Sequence, residues 1–268
     1  MRILRLLPFV AFLLPSVLFA QVQSNAATAA TQDPQAVSVF NQALSAAGGS
    51  QALKAVADYT GSGNITYHGH SDVQGTVSIK GLGSIAIRLD ATLPTGVRSW
   101  AIHDGVAAQR NEDGTLSVAA TNRKVPTSDA FPHQTPLFPS SIAFPNRQLT
   151  NVLADRNFGI SYKGVTRVDG HSVLHIQVQR SASRPDPMSQ YHTREFFIDT
   201  TTFQIVMTQD LVPKNTVHQI HYSNYQAVSG VLVPFAITEE LGGTSTWTVQ
   251  LSQMTFNSGL QDSAFVLQ

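Results

Sequence analysis

The stretch HQIHYSNYQAVSGVLVPF, residues 218–235, can be interpreted in two ways, and the choice between them decides the fold. Its two histidines, three positions apart, could be metal ligands, or the stretch could be one β-hairpin. Side chains three apart on a strand point to opposite faces, so His218 and His221 cannot hold one ion there. The β-branched and aromatic residues favour a strand, and Ser229-Gly230 is typical of a two-residue turn. A zinc site also needs further ligands. We therefore predict a hairpin with both histidines on its surface and no metal.

The same alternation continues through most of the chain after Asp58. Apolar residues recur at every second position, as in Ile85, Ile87 and Leu89, or in Phe203, Ile205 and Met207, which predicts strands with one apolar and one polar face. A change of phase between Leu251 and Met254 predicts a bulge near Ser252-Gln253. Turn-forming dipeptides separate the strands, so sequential strands should be antiparallel neighbours. These dipeptides are Asp104-Gly105, Asp113-Gly114, Asp169-Gly170, Ser229-Gly230 and Gly242-Gly243.

Helical spacing of apolar residues is confined mainly to the segment before the strands. Asp33-Pro34 predicts a helix start, Gly48-Gly49 predicts its end, and Ser50 is expected to cap a second short helix. About ten antiparallel strands with a single apolar face must curl and be covered. The predicted fold class is therefore mainly β (α+β), a large curved antiparallel sheet that forms an incomplete barrel around an N-terminal helix.

The N-terminus, MRILRLLPFVAFLLPSVLFA, has the pattern of a secretory signal peptide. We predict a signal peptide over 1–20, with cleavage possible as late as 26, a disordered leader over 21–32, and a single domain over 33–268. The mature chain should be exported, periplasmic and soluble, because no later apolar run is long enough to span a membrane and no cysteine is present for a lipid anchor.

The charge balance argues against nucleic acid as a partner. Removal of Arg2 and Arg5 with the signal peptide reduces the 17 basic residues to 17 − 2 = 15, against 17 acidic residues. A chain with this slight negative charge has no electrostatic attraction to nucleic acid. With no cysteine, the domain must be stabilised by apolar burial and not by disulfides.

A proline-rich insertion, residues 124–147, interrupts the strands. Its five prolines exclude a central strand, and its three phenylalanines make it too apolar for a solvated linker. We expect it to fold back on the sheet, with a short helix near 147–154, and to be a possible contact surface for an envelope protein partner.

Candidate catalytic groups do not assemble into a recognisable site. Ser50 lies between helices, where a nucleophile elbow would need a preceding strand. His68-Gly69-His70 suggests a turn, and Asp199 in FFIDTTT lacks the second carboxylate of an aspartic protease and is better placed opening a turn. His192, Arg194 and Glu195 are interpreted as a charged strand face. The protein is predicted to be no enzyme, with no cofactor and no metal; a hydrolase using Ser50 or the two histidines remains an alternative.

Four segments resemble the LolA/LolB-like superfamily of periplasmic proteins. They are GGSQALKAV (48–56), FFIDTTTFQIV (196–206), YSNYQAVSGVLVPFAIT (222–238) and FNSGLQDSAF (256–265). The resemblance implies an incomplete β-barrel around helices that encloses an apolar cavity for the acyl chains of lipoproteins. It also implies a non-catalytic carrier or sensor of the cell envelope.

The predicted function is therefore binding of an apolar ligand, a lipid or an acylated lipoprotein, between sheet and helix, with a role in lipid or lipoprotein transport. The alternatives are a filled core without a ligand, and an envelope-sensing module that binds a protein partner. The candidate ligand-binding residues are Phe40, Leu44, Ile85, Ile87, Leu89, Phe203, Ile205, Phe235, Trp247 and Leu251.

Overall fold

The computed structural model describes residues 30–83, 86–104, 106–120, 142–180, 193–212 and 215–268. Helix α1, Pro34–Ala46, begins as predicted. The Asp33 side chain accepts a hydrogen bond from the Gln35 backbone N–H at 2.8 Å, and Pro34 occupies the first turn, where no backbone donor is needed. The helix ends at two glycines with positive φ, and a Cβ on Gly48 would lie 2.4 Å from the Gly230 carbonyl oxygen. Glycine is therefore required there by close backbone approach as well as by its dihedral.

Helix α2, Ser50–Ala55, corrects one prediction. Gly49, and not Ser50, is the N-cap; Ser50 is the first helical residue, and no side chain caps the helix. The Gly49 carbonyl oxygen accepts the Leu53 N–H at 3.1 Å, because the φ of 92° at Gly49 turns the chain into the helix one residue earlier.

One antiparallel sheet of thirteen strands forms most of the rest of the described chain, together with helix α3 and a short 3-10 helix, Asp262–Phe265. The strands are β1 Asp58–Tyr67, β2 Val73–Leu82, β3 Ala86–Leu93, β4 Gly96–His103, β5 Val106–Arg110, β6 Leu116–Ala120, β7 Phe158–Val168, β8 His171–Arg180, β9 Thr193–Asp199, β10 Ile205–Val212, β11 Thr216–Val228, β12 Val231–Leu241 and β13 Thr244–Phe256. Their spatial order is β6-β5-β4-β3-β2-β1-β13-β12-β11-β10-β9-β8-β7. Sequential strands are neighbours except β6 and β7, which form the two opposite edges of the sheet. At the centre of the sheet β1 pairs with β13, so the first and last strands in the chain are neighbours. The predicted mainly β, incompletely closed barrel is confirmed.

Three of the predicted turns and the predicted bulge also lie where the sequence indicated. Both residues of Asp169-Gly170, Ser229-Gly230 and Gly242-Gly243 have positive φ, as two-residue hairpins require. In the β1–β13 pair, Ser62 lies opposite Gln253 and Gly63 opposite Leu251, so Ser252 is the extra residue of a bulge. The predicted bulge is confirmed at its predicted position.

Three helices cover the concave face of the sheet. Helix α3, Pro145–Ala154, lies where a short helix was predicted and contacts both α1 and α2. Leu149 and Val152 of α3 are fully buried, and the Phe40 ring of α1 meets the Phe196 ring of β9 edge-on at 5.4 Å. One apolar cluster therefore joins the helices to the sheet. Residues 124–141 of the proline-rich insertion lie outside the described part of the chain.

The residues just before α1 lie against the edge strand β7. Gln32 forms an isolated parallel bridge with Ile160; the Thr31 carbonyl accepts from the Ile160 N–H at 3.0 Å, and the Asp33 N–H donates to the Ile160 carbonyl at 2.8 Å. The predicted signal peptide and residues 21–29 lie outside the described ranges, and the predicted leader stays a prediction. No helix within those ranges is long and apolar enough to span a membrane.

Candidate functional site

The candidate ligand-binding residues lie mostly in one place. Phe203 is partly buried at the edge of the main apolar cluster, and Ile85 falls outside the described residues. The other eight are buried within that cluster: Phe40, Leu44, Ile87, Leu89, Ile205, Phe235, Trp247 and Leu251. The structure therefore brings these eight together between sheet and helices, and their contact with a ligand stays a prediction.

Phe203 differs from its predicted position. The alternation placed it on a strand with Ile205 and Met207, but β10 begins at Ile205 and Phe203 lies in the preceding turn with φ of 55°. Positive φ is rare for an aromatic residue and needs local support. Asp199 supplies it: its Oδ1 accepts from the Thr201 N–H at 2.9 Å and the Thr202 N–H at 2.7 Å. Asp199 therefore opens a turn, as predicted, and the turn holds the Phe203 ring at an open groove beside Val37 of α1.

Four charged side chains form a row inside the sheet on consecutive strands. Asp210 of β10 lies directly opposite Arg194 of β9 on one side and His218 of β11 on the other, and Glu239 of β12 completes the row. Between 2% and 5% of each residue is exposed. We call Arg194, Asp210, His218 and Glu239 the interior charge row.

The contacts within the interior charge row are short. Arg194 donates two hydrogen bonds to Asp210, from Nε to Oδ1 at 2.8 Å and from Nη2 to Oδ2 at 2.5 Å. His218 Nε2 lies 2.9 Å from Glu239 Oε1, and His218 Nδ1 lies 3.9 Å from Asp210 Oδ2, beyond hydrogen-bond range. A two-point arginine–carboxylate contact of this kind is both strong and directional.

The protonation states follow from these contacts. Burial lowers the pKa of His218, but Asp210 and Glu239 on either side outweigh it and raise that pKa to about 9. Burial raises the pKa of Asp210, yet Arg194 and His218 bring it below its ordinary value. The row therefore alternates basic and acidic side chains, and each buried group lies beside one of opposite charge type, which offsets the cost of burial.

The row corrects two sequence interpretations. His218 is buried and not on the surface; His221, on the opposite face of β11, has 22% of its side chain exposed and lies 3.4 Å from Asp169. Their placement on opposite faces is confirmed. Arg194 belongs to the interior with Phe196 and not to a charged outer face. The sequence did carry a signal for this burial. Arg194 and His218 each lie two positions before a buried apolar residue, Phe196 and Ile220, and so on the same face of the strand.

Helix α3 meets the interior charge row through Gln148. Its Oε1 accepts a hydrogen bond from Arg194 Nη1 at 3.0 Å, whereas its Nε2 has no hydrogen-bond partner. Among the described residues, Nδ1 of His218 makes no hydrogen bond but faces Asp210 Oδ2 at 3.9 Å, and Oδ1 of Asn146 and Nη1 of Arg147 also lack a hydrogen-bond partner. The sequence interpretation missed these residues because nothing local in α3 marks which polar side chains face inward.

The remaining candidate groups are separately engaged. His68 Nδ1 lies 3.2 Å from Asp72 and its Nε2 lies 3.0 Å from Thr248, while His70 is exposed. Across the residues placed by the structure, no group of three or more histidine, aspartate or glutamate side chains is arranged to hold a metal ion. His68 is therefore engaged by Asp72, in the connection between β1 and β2, and by Thr248 of β13.

Comparison with known proteins supports the fold. No protein-family model and no curated protein matches the sequence. An outer membrane lipoprotein-sorting protein domain from Vibrio parahaemolyticus is similar in structure, with a TM-score of 0.53, 11% identity, and coverage of 84% of this chain and 97% of that one. A LolA superfamily protein from Nitrosomonas europaea has a TM-score of 0.54, 9% identity, and coverage of 86% and 97%. With its open antiparallel sheet curved over a helical cover, the chain has the LolA-like fold.

Proposed function

We propose that the protein is an exported, non-catalytic carrier that binds the acyl chain of a lipid or lipoprotein between its curved sheet and its helices. The observation that carries the proposal is the way the apolar face is closed. The sheet is not closed into a barrel; instead helices from two separate parts of the chain, residues 34–55 and 145–154, cover its concave face. The helices contact the sheet mainly through side chains. An acyl chain can replace these contacts with little loss of buried apolar area.

Backbone ties between the cover and the sheet are few among the described residues. The Asp33 N–H donates to Ile160 at one end of α1, and the Leu232 N–H donates to Ala47 at the other, at 3.0 Å. Such anchoring leaves the middle of α1 held by Phe40, Ala43 and Leu44 through packing alone. This supports a cover that adapts to a ligand without loss of sheet hydrogen bonds. The structurally similar Vibrio protein is a lipoprotein-sorting domain, which supports an acyl ligand.

The first test is native mass spectrometry of protein purified from the envelope fraction, followed by organic extraction and lipid analysis. We expect stoichiometric co-purified lipid. The delipidated protein is then titrated with a brominated long-chain fatty acid, which quenches tryptophan fluorescence on contact.

The tryptophans suit this assay because both are interior. Trp100 and Trp247 are 5% and 2% exposed and belong to the main apolar cluster. Saturable quenching that persists in Trp100→Phe and in Trp247→Phe separately would place the acyl chain along the concave face. A lipid-free mass together with no quenching would mean a filled core and would overturn the proposal.

A further inference from the structure

The two edges of the sheet are protected to very different degrees. An edge strand exposes unpaired backbone N–H and C=O groups, which can pair with another chain unless the edge is covered, bent or charged. The β7 edge has all three protections. Gln32 bridges to Ile160, so the chain itself covers part of this edge. Lys163 is the extra residue of a bulge, and Arg167 adds a second positive charge.

The β6 edge has none of these protections among the described residues. Strand β6, LSVAA, contains no charged residue and no proline, and its five residues all pair with β5 in one register without a bulge. Within the described ranges β5 is the neighbour of β6 on one side, and β6 ends the strand order on the other. The outer backbone groups of β6 therefore form a regular, uncharged template for one more antiparallel strand.

Apolar side chains accompany this edge. Leu116 and Val118 of β6 are 42% and 61% exposed, and Val106 of β5 is 40% exposed. They share the convex face of the sheet, because Val106 flanks Ala107, which faces the main apolar cluster, and Val118 lies opposite Ala108. Single exposed apolar residues are ordinary, but a group of them beside an unprotected edge indicates an interaction surface.

The adjoining part of the convex face is covered by the protein itself. The 3-10 helix Asp262–Phe265 packs across β3 and β4, and the Phe265 ring stacks on the His103 ring at 6.0 Å. His103 pairs directly with Val106, so the exposed apolar side chains begin where this cover ends. The C-terminal segment therefore covers the convex face up to β4 and leaves the face of β5 and β6 open.

We propose that a second copy of the chain completes this edge, through antiparallel pairing of β6 with the partner's β6. A twofold axis through Val118, the central residue of β6, places each Val118 opposite the partner's Val118 on the shared convex face. The new hydrogen bonds continue the sheet from one copy into the other. Helix α1 packs on β7 at the far edge, so the pairing leaves the helical cover free and is independent of any ligand.

Charge favours a second copy over a different partner. An uncharged strand gives a charged protein no electrostatic attraction, whereas it can lie against itself without repulsion. Arg110 lies one strand in from the edge, so the arginines of the two copies are at least three strand spacings, roughly 14 Å, apart and are screened from each other. A five-residue strand buries less than the usual 800 Å² or so per partner, so the dimer should be weak, with Kd on the order of 10–100 µM.

The first experiment is sedimentation velocity of the full mature chain at concentrations from about 1 to about 300 µM, a range that brackets this Kd. The wild type should pass from monomer to dimer. Val118→Lys should weaken the association at least tenfold, because it places like charges directly opposite each other across the axis. Val165→Lys is the matched control: Val165 is 62% exposed on the β7 edge, and its replacement should leave the association unchanged.

A second experiment tests the register by cross-linking, since the chain has no cysteine. Opposite residues of antiparallel strands have Cα atoms about 4.5–5.5 Å apart, which suits a disulfide. Val118→Cys should therefore form a covalent dimer on mild oxidation, whereas Leu116→Cys, opposite position 120 in this register, and Val165→Cys should remain mostly monomeric. A wild type that is monomeric at every concentration, a dimer that survives Val118→Lys, or equal cross-linking at 118 and 165 would overturn the proposal.

Discussion

Raising the pH through the range in which His218 loses its proton should destabilise the protein. The pKa of His218 is raised from 6.5 to about 9 in the folded state, so its stabilising contribution is fully present below pH 6.5 and is lost as the pH rises through about 9. Within this window the folded state binds up to one proton more than the unfolded state. The free energy of unfolding should then fall by up to about 1.4 kcal/mol per pH unit. Summed over the window, the loss is at most on the order of 3 kcal/mol.

The assay is urea unfolding, followed by circular dichroism, at a series of pH values for the wild type, His218→Gln and His221→Gln. His221 is the matched control because it lies on the same strand with its side chain on the outer face. His218→Gln should be less stable at neutral pH and should lose the slope, whereas His221→Gln should keep it. Other titrating groups contribute to all three proteins, so the difference between curves isolates His218. A wild-type slope retained in His218→Gln would refute the assignment of a protonated, paired His218.

Two further predictions concern packing and pairing in the interior. Arg194→Met and Asp210→Leu should each cost about 3–5 kcal/mol, because each leaves the other charge buried and unpaired, while the double variant should cost less than the sum; additive losses in chemical unfolding would contradict the pairing. Gly81→Ala should destabilise by about 1–3 kcal/mol, since its Cβ would lie 2.2 Å from the buried Tyr59 ring, whereas Gly61→Ala, with its nearest neighbour at 3.5 Å, should be tolerated. Equal melting temperatures for the two alanine variants would show that the Tyr59 ring moves aside.

Features set by local chemistry could be predicted from the sequence. The Asp33-Pro34 helix start, the paired positive φ values at Ser229-Gly230 and the bulge at Ser252 each depend on a few adjacent residues. Strand periodicity is equally local, because successive side chains alternate between faces. The mainly β, curved architecture follows once many such strands share one apolar face.

Features set by long-range contacts could not be predicted in the same way. The β1–β13 pairing joins segments about 190 residues apart, such as Ser62 and Gln253, and no turn signal specifies it. Ser50 failed as a cap because the dihedral of the preceding Gly49 decided where α2 begins. Phe203 lies outside its predicted strand because hydrogen bonds to the Asp199 side chain form a turn there, in spite of the apolar alternation.

The interior charge row shows how periodicity and residue type can conflict. Arg194 shares the phase of Phe196, and His218 shares that of Ile220, but both were assigned to the surface on account of their polarity, and both are buried. Their compensating partners are on neighbouring strands, with Asp210 sixteen positions after Arg194 and Glu239 twenty-one after His218. A single strand therefore carries no local sign that its buried charge is paired.

Stability alone does not account for keeping four charges in this interior, since apolar replacements of buried ion pairs are often neutral or stabilising. One role is to fix strand register: each of β9 to β12 contributes one charge, and a shift of two residues would separate every pair while leaving the apolar face in place. Register therefore explains why four charges are kept in this interior.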